Sequence, residues 1–277
     1  FVFGRSGGID HRATWRSAIK GRFFREVREL PVQEYDVVIN DFEPVSAWAA
    51  YLRGVPCIGS SHQAAVLKPD APRPSTRDPF GVAVLRHYAP VDASVGFHFH
   101  PYDADTFTPV VRRQIRGMTT RDEGHYTVYL PAYDDARILA TLSRCPQVRW
   151  EVFSKHVPAP VRKDHVTFHP LDGPSFAKSM ASSTGVLCGA GFETPAEALF
   201  LGKKLMVVPM TGQYEQQCNA AALSYMGVHI LDRLGPERSE QIGAWIGDQA
   251  GVQVDYPDQT QMIVDAVLER SRAVQAR

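Results

Sequence analysis

Apolar and polar positions alternate along the chain with a period that changes from segment to segment. In EYDVVIND, Glu34 to Asp41, the buried-type run Val37-Val38-Ile39 is stopped by Asn40 and Asp41, which predicts a parallel strand. PVSAWAAYLRG then predicts a helix from Val45 to Arg53 with Gly54 past its end, and VPCIGSS a second strand. Strand, helix, strand is the crossover unit of an α/β layer. The stretch from Lys68 to Gly81 carries Pro69, Pro72, Pro74 and Pro79, which predicts a surface loop without regular structure, of the kind that forms lids. A further apolar run covers Ala93 to Phe99.

After a polar, turn-rich stretch the alternation becomes regular. HYTVYLP predicts a strand, and Asp134 with Asp135 opens a helix to about Ser143. VRWEVFS and HVTFHP predict strands, and PSFAKSMASS a helix. TGVLCGAG is a strand running into a glycine turn, TPAEALFLG a short helix and KKLMVVPM a strand. YEQQCNAAALSYMG is a helix closed by Gly227, and VHIL a last strand. Repeated strand-helix order means a second parallel sheet with helices on both faces, and two such layers form a cleft. The expected division is a domain over residues 1–110, a linker over 111–125 and a second domain over 126–277.

Composition removes several function classes. Among 277 residues, 30 Lys and Arg balance 30 Asp and Glu, so no net field gathers nucleic acid. The longest apolar runs, such as Leu205 to Met210, fall far short of the ~18 residues of a membrane span. A cytoplasmic protein is expected, with peripheral membrane contact left open. Cys57, Cys145, Cys188 and Cys218 have neither disulfide-framework nor zinc-knuckle spacing, so buried, reduced thiols are expected.

The stretch from Cys188 to Asn219 carries the most chemistry. Gly189 and Gly191 end a strand, and Thr194 then Pro195 start a helix, so backbone N–H groups converge at the carboxyl edge of a sheet. A helix start favours an anion there by ~0.3–2 kcal/mol, which suits a diphosphate. Glu197 has two readings. Thr194-Pro195-Ala196-Glu197 matches a capping box in which Glu197 returns to the Thr194 N–H, yet a carboxylate here could also accept both hydroxyls of a ribose. Further on, Gln213, Glu215, Gln216 and Asn219 cluster at the opening of a helix taken to start near Gly212. Gln216 and Asn219 then share a face suited to sugar hydroxyls or, alternatively, a solvated first turn.

The run from Gly189 to Asn219 resembles the donor-binding half of GT-B glycosyltransferases, the group that includes UDP-glucuronosyltransferases and the peptidoglycan N-acetylglucosaminyltransferase. Their pattern of glycines, [TS]-x-x-E-A, a strand ending in Pro and [DE]-Q-x-x-N is supplied by Gly189, Gly191, Thr194, Glu197-Ala198, Gly202, Pro209 and Glu215-Gln216-x-x-Asn219. VYLPAYDD, WEVFS and FHPLDGPSF extend it, and FEPVSAWAA with SSHQ resembles the acceptor domain of a bacterial branch. The resemblance implies two Rossmann-like domains facing a cleft, the first lacking its first strand and G-x-G-H turn. It implies that Gly189, Gly191 and Thr194 face the diphosphate, Glu197 the ribose, and Glu215 with Gln216 the donor sugar, with Asn219 also among the donor-binding residues. His169 to Leu171, in a loop after a strand, would hold the base by backbone groups. Cys188 stands where relatives often have His, and Glu193 must point away from the phosphates.

On the acceptor side, Asp41 and Glu43 follow one strand end and His62 the next, so they are expected at one cleft edge, with His62 as base and a carboxylate orienting it. His98 and His100 are expected to be satisfied strand histidines, and Arg112, Arg113 and Arg116 a solvated or salt-bridged basic face. The expectation is an inverting hexosyl-type glycosyltransferase that moves a sugar from a UDP-linked donor to the hydroxyl of a small-molecule, lipid-linked or polysaccharide acceptor. It requires no cofactor and, lacking a DxD-type pair near the phosphates, no metal. The alternatives are a nucleotide-sugar hydrolase or epimerase on the same scaffold, and a non-catalytic nucleotide-sugar-binding protein.

Overall fold

The computed structural model describes residues 21–76, 78–249 and 251–276. It forms two compact units that part between Val110 and Val111, and the chain from Pro257 onward returns to the first. The opening residues, on which the expected lack of a first strand and glycine turn bears, lie outside the described residues.

The first unit contains α1 (Arg22–Glu29), β1 (Val38–Asn40), α2 (Pro44–Arg53), β2 (Cys57–Ser61), α3 (Gln63–Val66), α4 (Pro79–His87), β3 (Ala93–Phe97) and β4 (Thr106–Phe107). The strands lie side by side in chain order, all parallel. Sequence dictates α2 at both ends: Glu43 caps it, Pro44 fills its first position, and Gly54 stops it at φ 65, where a side chain would be strained. The Pro-rich stretch gives way to helix α4 from Pro79, after Asp78. There an N-cap, whose carboxylate accepts from the Gly81 N–H at 2.8 Å, turns Pro79 from a breaker into a helix starter.

The second unit contains α5 (Arg113–Arg116), β5 (His125–Tyr129), α6 (Asp135–Leu142), β6 (Arg149–Ser154), β7 (Val161–Lys163), β8 (Val166–Pro170), α7 (Gly173–Ser182), β9 (Gly185–Gly189), α8 (Glu193–Phe200), β10 (Lys204–Val208), α9 (Tyr214–Tyr225), β11 (His229–Ile230) and α10 (Ser239–Gly247). Strand order is β11-β10-β9-β5-β6-β8-β7, parallel except for β7, which pairs antiparallel with β8. Asp134 and Asp172 cap α6 and α7 through Arg137 and Ser175 N–H groups. Val128, Trp150, Val152, Leu187, Met206 and Trp245 belong to one buried core.

Two expected boundaries move. Residues 111–125 are not a free linker. The Arg121 and Glu123 N–H groups donate to Ala181 and Ser182, and the Lys203 ammonium donates to the Arg121 carbonyl at 2.6 Å, so this stretch is sewn into the second unit. Nor does the second domain run to 277. Helix α11 (Thr260–Gln275) packs Ile263 and Val267 against Ile58 and Val95 of the first sheet, because that face has no other apolar cover in the cluster. All four cysteines are buried and none is in a disulfide. Burial and the nearby Asp92 push the Cys57 thiol up to about 11.

Gly185 tests the packing of the second sheet. It pairs with Tyr126 on one side and Lys204 on the other, and a Cβ there would lie 2.8 Å from the Tyr126 ring and 3.0 Å from the Lys204 carbonyl oxygen. Backbone cannot yield as a side-chain tip can, so Gly185→Ala should cost ~1–3 kcal/mol, read as a lowered midpoint of thermal unfolding. An unchanged midpoint would contradict this packing.

Candidate functional site

At the carboxyl edge of the second sheet β9 ends at Gly189 and α8 begins at Glu193, and the turn between them is held from two sides. The Ala190 N–H donates to the Val208 carbonyl at 3.3 Å. The fully buried Asn219 side chain donates to the Ala190 carbonyl at 3.1 Å. The Gln216 carbonyl oxygen accepts from the Met210 N–H at 3.0 Å, bracing the neighbouring loop. What remains open is Gly191, where a Cβ would meet nothing within 4 Å. The first turn of α8 leaves the Glu193 and Thr194 N–H groups without intrahelical acceptors, Pro195 having none to offer. Glu193 is exposed and Thr194 half-buried. Cys188, beneath the turn, is buried and its thiol is shifted upward by that burial.

Glu197 lies one helical turn further along. Its side chain is 4% exposed, and both of its oxygens accept from Arg112, Nε at 2.6 Å and Nη2 at 2.7 Å. This bidentate pair raises the Arg112 pKa, through the hydrogen bonds to Glu197 foremost. Arg116 stacks over the Phe200 ring at 4.9 Å and donates to the Tyr256 carbonyl at 2.8 Å. Of the three-arginine face, therefore, one member is an ion pair with a buried carboxylate and a second packs on the same helix.

Further along this edge, His169 lies within β8, its ring stacked on Phe153 at 5.3 Å. Its Nε2 is buried without a hydrogen-bond partner among the described residues. The Leu171 N–H donates to the Ser154 carbonyl at 3.1 Å, and Leu171 lines a crevice of about 20 Å³, room for about one water.

In the first unit, Asp41 follows β1 and His62 follows β2. The two strands are parallel neighbours, so both residues leave the sheet at the same edge. Asp41 is exposed and His62 half-buried at the start of α3. The Glu43 carboxylate accepts from the Val45 N–H at 2.8 Å, and from the Ser46 N–H and hydroxyl, each at 2.7 Å. The Asn40 side chain ties the same turn through the Glu43 N–H, the Glu43 carbonyl and the Ser46 hydroxyl. Burial raises the Glu43 pKa, but the hydrogen bonds from Ser46 and Val45 outweigh it and hold the group below the usual carboxylate range.

The sequence model of glycosyl transferase family 1 matches residues 13–243. The chain belongs to this family. Among solved structures, Os79 from O. sativa in complex with UDP superposes with a TM-score of 0.59 at 13% identity, covering 94% of this chain and 79% of that one. Arabidopsis thaliana UGT89C1, also complexed with UDP, gives 0.56 at 12% identity, covering 97% and 79%. The kitacinnamycin glycotransferase gives 0.53 at 16% identity, covering 98% and 81%. No curated protein sequence matches. At these identities the structures speak for fold alone, the α/β GT-B type with parallel sheets. The family places the chain among glycosyltransferases, with sugar transfer as its chemistry.

For this family 1 chain the geometry corrects several expectations. The capping box is not formed: α8 starts at Glu193, so Thr194 lies inside the first turn, and Arg112 draws the Glu197 carboxylate away. Helix α9 starts at Tyr214, two residues beyond Gly212. Gln216 and Asn219 brace the loops described above, and Asn219 also donates to the half-buried Glu215 carboxylate at 3.4 Å. His169 is in a strand, and the Leu171 amide is already paired. Glu43 is a helix cap. His98 lies just past β3, buried, with Nδ1 2.9 Å from the Tyr102 hydroxyl. Among the described residues no group of three His, Cys, Asp or Glu could hold a metal ion, and no helix is long and apolar enough to cross a membrane. The residue that sequence reasoning left outside the site is Arg112. The signal for it was a basic cluster just upstream of the sheet, without any indication of which carboxylate it meets.

Removing Arg112 leaves a buried carboxylate unpaired. Its own side chain is 48% exposed, so the expected cost of Arg112→Ala is ~1–3 kcal/mol, between a surface pair and a fully buried one. A double-mutant cycle with Glu197→Gln, followed by denaturant unfolding, should give a coupling above ~1 kcal/mol, and additivity would contradict the pairing. For Glu43 the folded pKa is depressed, so its contribution is full above the unfolded value of 4.5 and is lost as pH falls through the folded one. Glu43→Gln should therefore cost ~0.5–1 kcal/mol at pH 7, and the deficit should shrink towards pH 3. A deficit independent of pH contradicts the cap assignment.

Proposed function

We propose that this chain transfers a sugar from a UDP-linked donor to an acceptor hydroxyl with inversion at the anomeric carbon. The observation that carries the reading is the open turn at Gly191: donor N–H groups at the first turn of α8, beside a position where even a Cβ meets nothing. The diphosphate would be held there by backbone N–H groups and by the positive end of α8, which also stabilises the charge developing on the departing nucleotide. Two neighbours of the same fold are complexes with UDP, which supports uridine as the base.

Glu197 would meet the ribose without releasing Arg112, because each carboxylate oxygen keeps a second lone pair for a hydroxyl proton. Glu215 and the Gln216 amide nitrogen are the groups for the donor sugar. Asn219 acts one step back, as the brace of the turn. His62 is the base. Its imidazole takes the acceptor proton as the acceptor oxygen bonds to the anomeric carbon. The bond from that carbon to the phosphate oxygen breaks, and its electron pair leaves with the diphosphate. Asp41, exposed at the same edge of the first sheet, is the carboxylate available to orient the imidazole, since Glu43 is occupied as a cap.

Calorimetry with UDP tests the proposal. Wild type should bind, whereas Gly191→Val should weaken binding at least ~tenfold with the thermal midpoint unchanged, since the added methyls enter open space. His62→Ala should keep UDP affinity while transfer falls by ~10²–10⁴. UDP binding that ignores Gly191→Val would sink the assignment of the turn. Donor turnover without any acceptor would favour hydrolysis instead.

A further inference from the structure

Two arginines of the second unit, at the two ends of α5, reach the same helix, α8. Arg112 stands at the head of α5, and Val111 and Ile115 beside it are buried. At the other end of α5, Arg116 donates to the Val111 carbonyl at 3.2 Å and to the Tyr256 carbonyl at 2.8 Å, with its guanidinium over the Phe200 ring. The backbone that carries Arg112 is thereby fastened beside α8, and the Arg112 fork meets Glu197 three residues before Phe200. Glu193 and Glu197 are four residues apart on α8, so they share a face, and Glu193 opens the turn that carries the free amides. Its charge also reaches Arg112: the pKa of that arginine is raised by the hydrogen bonds to Glu197 foremost, and Glu193 adds to the shift. Two negative charges so close to the open turn would, without compensation, oppose a diphosphate. The fold itself gains little from an ionic pair at this place, because neutral side chains of similar size avoid the cost of drawing charges out of water. What only the ionic pair supplies is a carboxylate held charged, with its remaining lone pairs in fixed directions.

We propose that Arg112 is a positioning residue for the nucleotide: its fork aims Glu197 at the ribose, and its charge offsets Glu193 so that the first turn of α8 accepts the diphosphate. The inference rests on the UDP reading above. Arg112 touches no reacting atom and acts through the two carboxylates. The fork and the charge are separable, because a lysine keeps the second and cannot reproduce the two parallel bonds of the first.

Calorimetric titration of the full chain with UDP and with 2′-deoxy-UDP, which lacks one ribose hydroxyl, reads the two tasks apart. Wild type should bind UDP about tenfold more tightly than 2′-deoxy-UDP, since the 2′-hydroxyl meets a charged acceptor. In Arg112→Lys the affinity for 2′-deoxy-UDP should hold, while the preference for UDP shrinks to about twofold or less. In Arg112→Gln the preference is lost and 2′-deoxy-UDP should also weaken, by roughly fivefold, as the charge goes. Adding Glu193→Gln, at an exposed position, should return most of that loss in the Arg112→Gln chain, yet change wild type by less than about twofold. A pair that serves the fold alone would lower the thermal midpoint of the Arg112 variants and leave these ratios where they were. Retention of the wild-type preference by Arg112→Lys, or indifference of the Arg112→Gln chain to Glu193→Gln, overturns the inference while the UDP reading stands. Equal affinity of wild type for the two nucleotides overturns it as well, because Glu197 then makes no use of the 2′-hydroxyl. If wild type binds neither nucleotide, the UDP reading falls and takes the inference with it. Should Arg112→Gln not fold, the comparison with Arg112→Lys decides.

Discussion

The glycine turn at the rim of the second sheet depends on one buried hydrogen bond, from the side-chain amide of Asn219. Reaching from α9 to the Ala190 carbonyl, it joins the two elements on either side of β10, while the Ala190 N–H is anchored to the Val208 carbonyl. A buried hydrogen bond left unmade costs ~1–3 kcal/mol, so the geometry is fixed before any ligand arrives. Gly191 then faces open space and the first turn of α8 keeps its N–H groups outward. Pre-organised backbone donors of this kind need no rearrangement when negative charge develops beside them.

The same region shows how a polar side chain is assigned by what reaches it. Glu197 is nearly excluded from solvent and would be costly there as a lone carboxylate, and Arg112 compensates it with two short parallel bonds. In the other unit, Glu43 has three donors within 2.8 Å and serves the backbone of α2. Both residues carry the charge that sugar chemistry calls for. One is held at the carboxyl edge of the second sheet by Arg112, and the other is consumed by folding.

Where the determinants of structure are local, they were legible in the chain. Asp134 and Gly54 mark helix ends by cap chemistry, and the runs around Val128, Val152, Val186 and Val207 mark buried strands by composition alone. The edge strand β7 was not legible, because Val-Arg-Lys is exposed throughout and carries no apolar signal. Helix α11 has a readable stripe, Ile263, Val267 and Val274, yet nothing local says that it covers Ile58 and Val95, some two hundred residues earlier. For the site, the glycine turn and its helix could be read as one unit, since they are contiguous. The partners of Glu197, Gln216 and Asn219 could not. Arg112, Met210 and Ala190 are chosen by the fold, and a T-x-x-E spacing describes a cap equally well until the helix is seen to begin two residues sooner, at Glu193 rather than Pro195.

The most direct measurement follows backbone amide resonances of the full chain through titrations with UDP and with uridine. The account predicts that UDP shifts the Gly191, Glu193 and Thr194 amides well beyond the rest, and that uridine, which has no phosphate, leaves those three in place. Shifts from UDP that bypass these three amides, or uridine moving them as far as UDP does, would contradict it.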